Sequence, residues 1–175
     1  MDSYQFYKSL FDRERSRRIQ LDSAINLPLS LLTLLVAANS FILKFGAINF
    51  QNKSDLLEKF IFIVTIISIA TIVFFLIRAY NNLFKGFAYR NFGLPSEILK
   101  YETEELPNFN EKVGIDSKLD FSKQIIERLT AITDNHILLN DQRSLDLYRS
   151  KTFIIITILI TTIQFLIITI KSITI

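Results

Sequence analysis

The sequence predicts an all-α fold: a three-span transmembrane helical protein with a helical cytoplasmic segment. The chain is unusually apolar for its 175 residues, since 50% of them are hydrophobic and the mean hydropathy is +0.32. Three stretches with almost no charge reach the roughly 20 residues that a helix needs to cross a bilayer. Buried strands run to only about 4–8 residues, so the length of these stretches favours helices over strands.

Residues 1–23 are expected to form a basic amphipathic helix on the cytoplasmic side. Tyr4, Tyr7, Leu10 and Phe11 recur at helical spacing, and an arginine-rich turn follows them. One interpretation is that the arginines hold the helix to anionic lipid, at about 1 kcal/mol per residue. The other is that they bind the phosphate groups of a nucleotide or an oligonucleotide. The residue types alone are compatible with both.

The three spans are expected at residues 24–43, 60–77 and 152–170. The third lies in the run KTFIIITILITTIQFLIITIKSITI, whose β-branched residues are typical of strands. Inside a lipid bilayer only a helix or a closed barrel satisfies the backbone hydrogen bonds, and three spans cannot close a barrel. The third span is therefore also predicted to be a helix.

The distribution of Lys and Arg predicts how the chain is oriented. Five of these residues precede the first span, three lie between the first and second spans, and eleven lie from Arg78 to Lys151. Basic residues accumulate on the cytoplasmic side of membrane proteins. We therefore expect a multi-pass protein with its N-terminus and segment 78–150 in the cytoplasm and its C-terminus outside.

Segment 78–150 is predicted to be a cytoplasmic helical domain. Its first part, RAYNNLFKGFAYRNFGLP, interleaves basic and aromatic residues. Such a pattern either binds single-stranded nucleic acid through phosphate contacts and stacking, or forms an aromatic belt at the headgroups. With the N-terminal arginines, it supplies the candidate contacts for a nucleotide or nucleic-acid ligand: Arg13, Arg17, Arg18, Lys85 and Arg90.

Two helices are expected in the rest of this domain. One begins with Ser96 as its N-cap and stops before Pro107. The other begins near Asp116 and continues into the third span, with an apolar stripe that includes His136. A lone histidine on such a stripe is expected to be an interior residue rather than a ligand.

Polar residues of the third span fall on one helical stripe. Seven residues, spaced alternately four and three apart, share this face: Ser150, Ile154, Thr157, Thr161, Gln164, Ile168 and Lys171. Polar groups in the middle of a membrane face protein or water. Either the stripe packs against polar residues of the other spans, or it lines the pore of a symmetric oligomer. The other spans offer Asn39 and Ser40 on the first and Thr65, Ser68 and Thr71 on the second. In the second case the pore-lining residues are Thr157, Thr161, Gln164 and Lys171.

Enzyme signatures are missing from the sequence. Cysteine is absent and there is one histidine, so a zinc site of several nitrogen or sulfur ligands is not expected. The sequence has no glycine-rich phosphate loop, no HExxH motif and no GxSxG motif. We therefore expect a protein that is not an enzyme and has no catalytic residues, metal or cofactor.

The layout resembles the small membrane effectors of bacterial anti-phage defence operons. An arginine-rich helix leads into two spans with a short outer loop, as in the SLATT-type proteins, and the third span is similar to that of the Hailong-type channel effector. The resemblance implies a bacterial inner-membrane homo-oligomer, with a tetramer as one candidate, that depolarises the cell. It also implies control by a nucleotide or DNA oligomer from a partner nucleotidyltransferase; in the Hailong case the DNA holds the channel shut.

Two functions from different classes follow from these expectations. The first is a homo-oligomeric transmembrane ion channel of anti-phage defence, gated from the cytoplasm by a nucleotide or DNA oligomer. The second is a non-conducting membrane adaptor or accessory subunit of a larger complex, whose polar stripe only packs against other helices. Toxicity with membrane depolarisation when the protein is expressed alone, as against harmless expression, separates the two, although a ligand that holds the channel shut makes that toxicity conditional.

Overall fold

The computed structural model describes residues 2–45, 56–80 and 89–174. About 91% of these residues are helical and none of them forms a strand, which confirms the predicted all-α fold. The α-helices of this described part are α1 (Ser3–Ala24), α2 (Asn26–Phe45), α3 (Leu56–Ala79), α4 (Pro95–Lys100), α5 (Leu106–Lys112) and α6 (Phe121–Thr174). A π-helical turn (Tyr101–Glu105) joins α4 to α5, and a short 3-10 helix (Ile115–Ser117) precedes α6.

Three segments of the described chain are long and apolar enough to cross a membrane. They are Ser3–Lys44, which comprises α1 and most of α2, then Leu56–Ala79, and Phe121–Lys171. The predicted spans lie inside these segments. By length and composition, the chain is suited to a membrane location.

The helix expected from Ser96 to Pro107 has different bounds in the structure. Pro95 starts α4, with Leu94 as the N-cap residue, because a proline without an N–H is tolerated in the first turn. Pro107 does not end the helical region, since α5 includes it and continues to Lys112. A proline ring clashes with the carbonyl four residues before it in a regular α-helix, and the wider π-helical turn that precedes α5 relieves such crowding.

Contacts divide the chain into two compact units. Unit 1 consists of Met1–Gln20 and Lys85–Asp141, and unit 2 consists of Leu21–Phe84 and Gln142–Ile175. Unit 2 contains an apolar core to which α2, α3 and α6 contribute: Ile25, Leu32, Leu35, Ile72, Leu76, Ala79, Leu147 and Ile154. Large apolar side chains such as Leu34, Phe74 and Ile163 are exposed on the same helices, as expected for helices that face lipid.

Unit 1 has an aromatic interior. The ring of Phe11 on α1 lies 6.1 Å from that of Phe92 and 5.5 Å from that of His136, and Tyr89 lies 5.0 Å from His136. His136 is buried, and its Nε2 is 3.0 Å from the carbonyl oxygen of Arg90, so it is an interior residue as predicted. These contacts attach the N-terminal part of α1 to α6 within unit 1.

Candidate functional sites

The polar stripe of the third span is buried inside unit 2. Ser150, Thr157 and Gln164 are fully buried, and Thr161 is 8% exposed. Residues on the opposite face of α6 are exposed and apolar, among them Leu159 and Ile163. In a single protomer, the polar face of α6 is therefore covered by other parts of unit 2 and its apolar face is left free.

Ser68 on α3 provides one polar contact to this stripe. Its hydroxyl lies 2.6 Å from the hydroxyl oxygen of Thr157. The Thr157 hydroxyl also donates to the carbonyl oxygen of Phe153 at 2.7 Å, so Ser68 is the donor in the shared hydrogen bond. Thr65, one turn away on α3, is fully buried and donates to the carbonyl oxygen of Ile61 at 2.9 Å.

Asn39 on α2 provides the next contact. Its side-chain Nδ2 donates to the hydroxyl oxygen of Thr161 at 3.3 Å and to the carbonyl oxygen of Leu35 at 2.8 Å. Its Oδ1 atom is buried and has no hydrogen-bond partner among the described residues. The side-chain nitrogen of Asn39 is therefore hydrogen-bonded and its side-chain oxygen is not, although the residue is only 3% exposed.

Gln164 lies one turn beyond Thr161 on α6. Both polar atoms of its side chain, Oε1 and Nε2, are buried without a hydrogen-bond partner in the described part of the chain. A buried polar group left without a partner costs about 1–3 kcal/mol, and most such groups in native proteins are satisfied by protein or water. Among the residues of the stripe, Gln164 is the one that helix packing does not explain.

Ionic contacts lie at both ends of the polar face of α6. At one end, the Lys171 ammonium is 3.0 Å from the Glu58 carboxylate, joining the C-terminal part of α6 to the start of α3. At the other, buried Arg143 donates from Nε to the carbonyl oxygen of Ala79 at 2.8 Å and forms an ion pair with Asp22. The cation thus satisfies a carbonyl at the C-terminal end of α3.

Asp146 adds a second ionic contact at the Arg143 end. Its carboxylate is 1% exposed and lies 3.1 Å from Nε of Arg78 and 3.8 Å from Arg149. Polar groups therefore follow one face of α6 through unit 2, from the Arg143 end to the Lys171 end. We call this row the polar column: Arg143, Asp146, Ser150, Thr157, Thr161, Gln164 and Lys171, with their contacts on α1, α2 and α3.

The structure thus places the predicted pore-lining residues together, but next to partners in their own chain. Thr157 and Thr161 have partners on α3 and α2, Lys171 has a carboxylate partner, and Gln164 has none among the described residues. A pore in which neighbouring protomers contribute these side chains requires α6 to turn its polar face away from α2 and α3.

Four of the five basic residues predicted as ligand contacts belong to the described part of the chain, and all four lie in unit 1. Glu14, only 3% exposed, is the centre of this region: Arg13 lies 3.3 Å and Arg17 3.5 Å from its carboxylate. Arg17 also lies 2.6 Å from Asp141. Burial lowers the pKa of the Arg17 guanidinium, but the hydrogen bond to Asp141 and the charges of Asp141 and Glu14 outweigh it and raise that pKa above its ordinary value.

The remaining basic candidates lie around Tyr89. The Arg18 guanidinium is 4.3 Å from the centre of the Tyr89 ring, a cation–π geometry, and Arg90 is exposed beside it in sequence. The backbone N–H of Arg90 donates to Oδ1 of Asn135 at 3.0 Å. Lys85 lies outside the described residues. The group of Arg13, Arg17, Arg18 and Arg90 is called the basic surface below.

Asn140 on α6 connects the two parts of the basic surface. Its Nδ2 donates to the carbonyl oxygen of Glu14 at 3.0 Å and to the Glu14 carboxylate at 3.1 Å, while its Oδ1 accepts from the Tyr89 hydroxyl at 2.7 Å. Sequence reasoning missed Glu14, Asn140 and Asp146. Asn140 and Asp146 are polar residues on the inward face of the helical pattern that continues into the third span, which was the available signal.

A groove with a volume of about 750 Å³ lies beside the aromatic interior of unit 1. Phe11, Phe92 and Leu129 are among its apolar lining residues, and its charged lining residues are Asp2, Lys8, Asp12 and Arg15. Tyr89 and His136 are too buried to stack on a ligand, whereas Phe11 and Phe92 in the groove are partly exposed. Apolar and aromatic surface beside charged groups of both signs is suited to a ligand with a ring and polar substituents.

Comparison with known proteins gives no match. No protein-family model, no curated protein and no solved structure matches this chain.

Proposed function

We propose that the protein is a homo-oligomeric transmembrane ion channel, an effector of bacterial anti-phage defence gated from the cytoplasm by a nucleotide or DNA oligomer. The polar column is the conducting surface, and the arrangement described above is its closed state. The resemblance to Hailong-type and SLATT-type effectors supports the assignment to defence and to the bacterial inner membrane. Depolarisation of the membrane is the expected consequence of opening.

The observation that carries the proposal is the side chain of Gln164. Helix packing accounts for Ser68 with Thr157 and for Asn39 with Thr161, because Ser, Thr and Asn side chains often hydrogen-bond between membrane helices. It does not account for a fully buried glutamine whose Oε1 and Nε2 both lack a partner in the described chain. A buried polar group in the middle of a membrane that no protein group satisfies is suited to contact water, as the wall of a water-filled pore does.

When the proposed channel opens, α6 loses polar contacts with α2 and α3 and gains contact with the pore. The face that contacts Asn39 and Ser68 turns toward a pore shared with other protomers, and Lys171 leaves Glu58. The contacts that open at Thr161, Thr157 and Lys171 include one shared hydrogen bond to each of α2 and α3 and the ion pair of a lysine that is 44% exposed. A ligand shifts the equilibrium between the two states by as much as its affinities for them differ.

The basic surface and the neighbouring groove are the proposed ligand site. Arg13 has a side chain that is 65% exposed, and Arg90 is also exposed, so both are available to phosphate groups. Arg17 is held by Glu14 and Asp141 and is better suited to position α1 against α6 within unit 1. The groove offers an apolar surface for a base beside those phosphates.

Conductance in planar bilayers tests the pore. The wild-type protein is recorded with and without short DNA oligonucleotides, beside Gln164→Leu and the matched variant Ile163→Leu. Because Ile163 is exposed on the apolar face of α6, its replacement is expected to leave the conductance unchanged, whereas Gln164→Leu is expected to reduce it several-fold. Equal conductance of Gln164→Leu and wild type would remove Gln164 from the pore.

Salt-dependent binding of short oligonucleotides tests the ligand site. The double variant Arg13→Ala/Arg90→Ala is expected to bind more weakly, with the slope of log affinity against log salt reduced by about 0.7 for each lost phosphate contact. Lys123→Ala, which removes another exposed base of unit 1, is the control and is expected to behave like wild type. Oligonucleotide binding that is equal in all three proteins contradicts the site.

The second candidate is a non-conducting membrane adaptor, and one observation favours it. Apart from Gln164 and one atom of Asn39, the described polar residues through which the third span contacts the first two are satisfied within one chain. A pair of helices built only for packing has this property. Conductance in planar bilayers separates the candidates: a channel conducts either with or without the oligonucleotide, and an adaptor conducts in neither condition.

A further inference from the structure

We propose that unit 2 contains a buried hydration site between α2 and α6, at Asn39, Thr161 and Gln164, and that its ligand is water. The proposal goes beyond channel function, since water occupies such a site in a bundle that does not conduct. Three polar atoms define it: Oδ1 of Asn39 and Oε1 and Nε2 of Gln164, each buried and without a partner in the described chain.

The positions of these atoms follow from the contacts around them. Nδ2 of Asn39 donates to Thr161 at 3.3 Å, which places the amide group of Asn39 against α6. Gln164 follows Thr161 by three residues, so its side chain lies on the same face, about 5–6 Å away between Cβ atoms. The amides of Asn39 and Gln164 therefore border the same short stretch of α6 around Thr161, where water molecules bridge polar groups that have no protein partner.

The chemistry of the three atoms selects water over a cation. Two of them are acceptors and one, Nε2 of Gln164, is a donor. A monovalent cation coordinates oxygen and leaves the N–H group unsatisfied. A water molecule donates to Oδ1 and Oε1 and accepts from Nε2, so it satisfies all three. Exchanging the oxygen and nitrogen of Gln164 does not alter this, because both atoms lack partners.

The energetic case rests on the number of unsatisfied groups. Each one costs about 1–3 kcal/mol when it is buried without a partner. Ordering a water molecule costs about 0–2 kcal/mol, and buried waters typically make about three hydrogen bonds. Water bound at this site is therefore favoured over three polar atoms left without partners among apolar helices.

Solid-state NMR of the full chain in liposomes tests the site directly. Transfer of magnetisation from water to side-chain amide protons is measured for Gln164, whose signal is identified by its loss in Gln164→Leu. Asn140 is the internal control, because it is also 0% exposed but its Nδ2 and Oδ1 are both hydrogen-bonded to protein. We expect transfer to Gln164 to be several-fold faster than transfer to Asn140.

A second variant tests the bridge to Asn39. Asn39→Leu removes the acceptor on α2, so transfer to Gln164 is expected to fall toward the value of Asn140, whereas Ser40→Ala, on the exposed side of α2, leaves it unchanged. Transfer to wild-type Gln164 that is no faster than transfer to Asn140 overturns the hydration site. Fast transfer that persists in folded Asn39→Leu overturns the placement of the water between the two amides.

Discussion

Asn140 and Gln164 are both fully buried side-chain amides of α6, but they have opposite surroundings. In unit 1, Asn140 uses its Nδ2 and its Oδ1 to join Glu14 and Tyr89. In unit 2, Gln164 has no partner for either atom within the described chain. A satisfied amide specifies one arrangement of its neighbours, whereas an unsatisfied one leaves the arrangement open to change. The contacts of Asn140 are thus suited to stability and the surroundings of Gln164 to a change of state.

The largest expected difference is between the replacements of these two amides. Asn140→Leu leaves the buried Glu14 carboxylate and the Tyr89 hydroxyl without their shared partner, so we expect a loss of about 3 kcal/mol of unfolding free energy. Gln164→Leu breaks no hydrogen bond to the described part of the protein and releases the water of the proposed hydration site, so it is expected to be close to neutral. Thermal unfolding in detergent, followed by circular dichroism, compares the two variants. If Asn140→Leu and Gln164→Leu lose the same unfolding free energy, the contrast between the two amides is wrong.

The next effect concerns the hydrogen bond between α3 and α6. Ser68→Ala removes the donor to Thr157 and is expected to cost about 1 kcal/mol, since hydrogen bonds between membrane helices contribute between about 0.6 and 2 kcal/mol. Ser40→Ala on α2 is the matched control, because the Ser40 hydroxyl is exposed and donates to its own helix at Val36. A loss for Ser40→Ala as large as that for Ser68→Ala contradicts a specific contact between α3 and α6.

The smallest effect is expected at the Lys171 end of the polar column. Lys171→Met removes the ion pair with Glu58, and because the lysine side chain is 44% exposed, solvent screening limits the loss to less than about 1 kcal/mol. The exchanged double variant Glu58→Lys/Lys171→Glu is expected to restore part of it. If this ion pair also holds the closed state, Lys171→Met increases the open probability in planar bilayers. An unchanged open probability in this variant limits the pair to a structural role.

Some of this organisation was accessible from the sequence and some was not. Charge-free runs of about 20 residues predict helical spans, and the spacing of Thr157, Thr161 and Gln164 predicts one polar face, because both patterns are local. The partner of each polar residue is not local. Asn39 and Thr161 are separated by 122 positions, and nothing in either segment specifies that they pair.

Because the partners of buried residues are distant in sequence, the buried ionic residues Glu58 and Asp146 were not predicted either. Glu58, at the start of α3, and Asp146, in the continuous pattern of α6, look like ordinary charges of helix ends and solvated faces. Their burial follows from the packing of α3 and α6 within unit 2. Pro107 is a different case: it was expected to end a helix, but the preceding π-helical turn accommodates it, which no residue pattern indicated.

Chemical modification of single cysteine variants tests most directly whether the polar column conducts ions. The chain has no cysteine, so Gln164→Cys and Ile163→Cys each carry one thiol, on the polar and on the apolar face of α6. Currents in planar bilayers are recorded before and after a charged, membrane-impermeant methanethiosulfonate reagent is added. We expect the reagent to block currents of Gln164→Cys and to leave those of Ile163→Cys unchanged. Block at Ile163→Cys with none at Gln164→Cys would contradict the assignment of the polar column as the conducting surface.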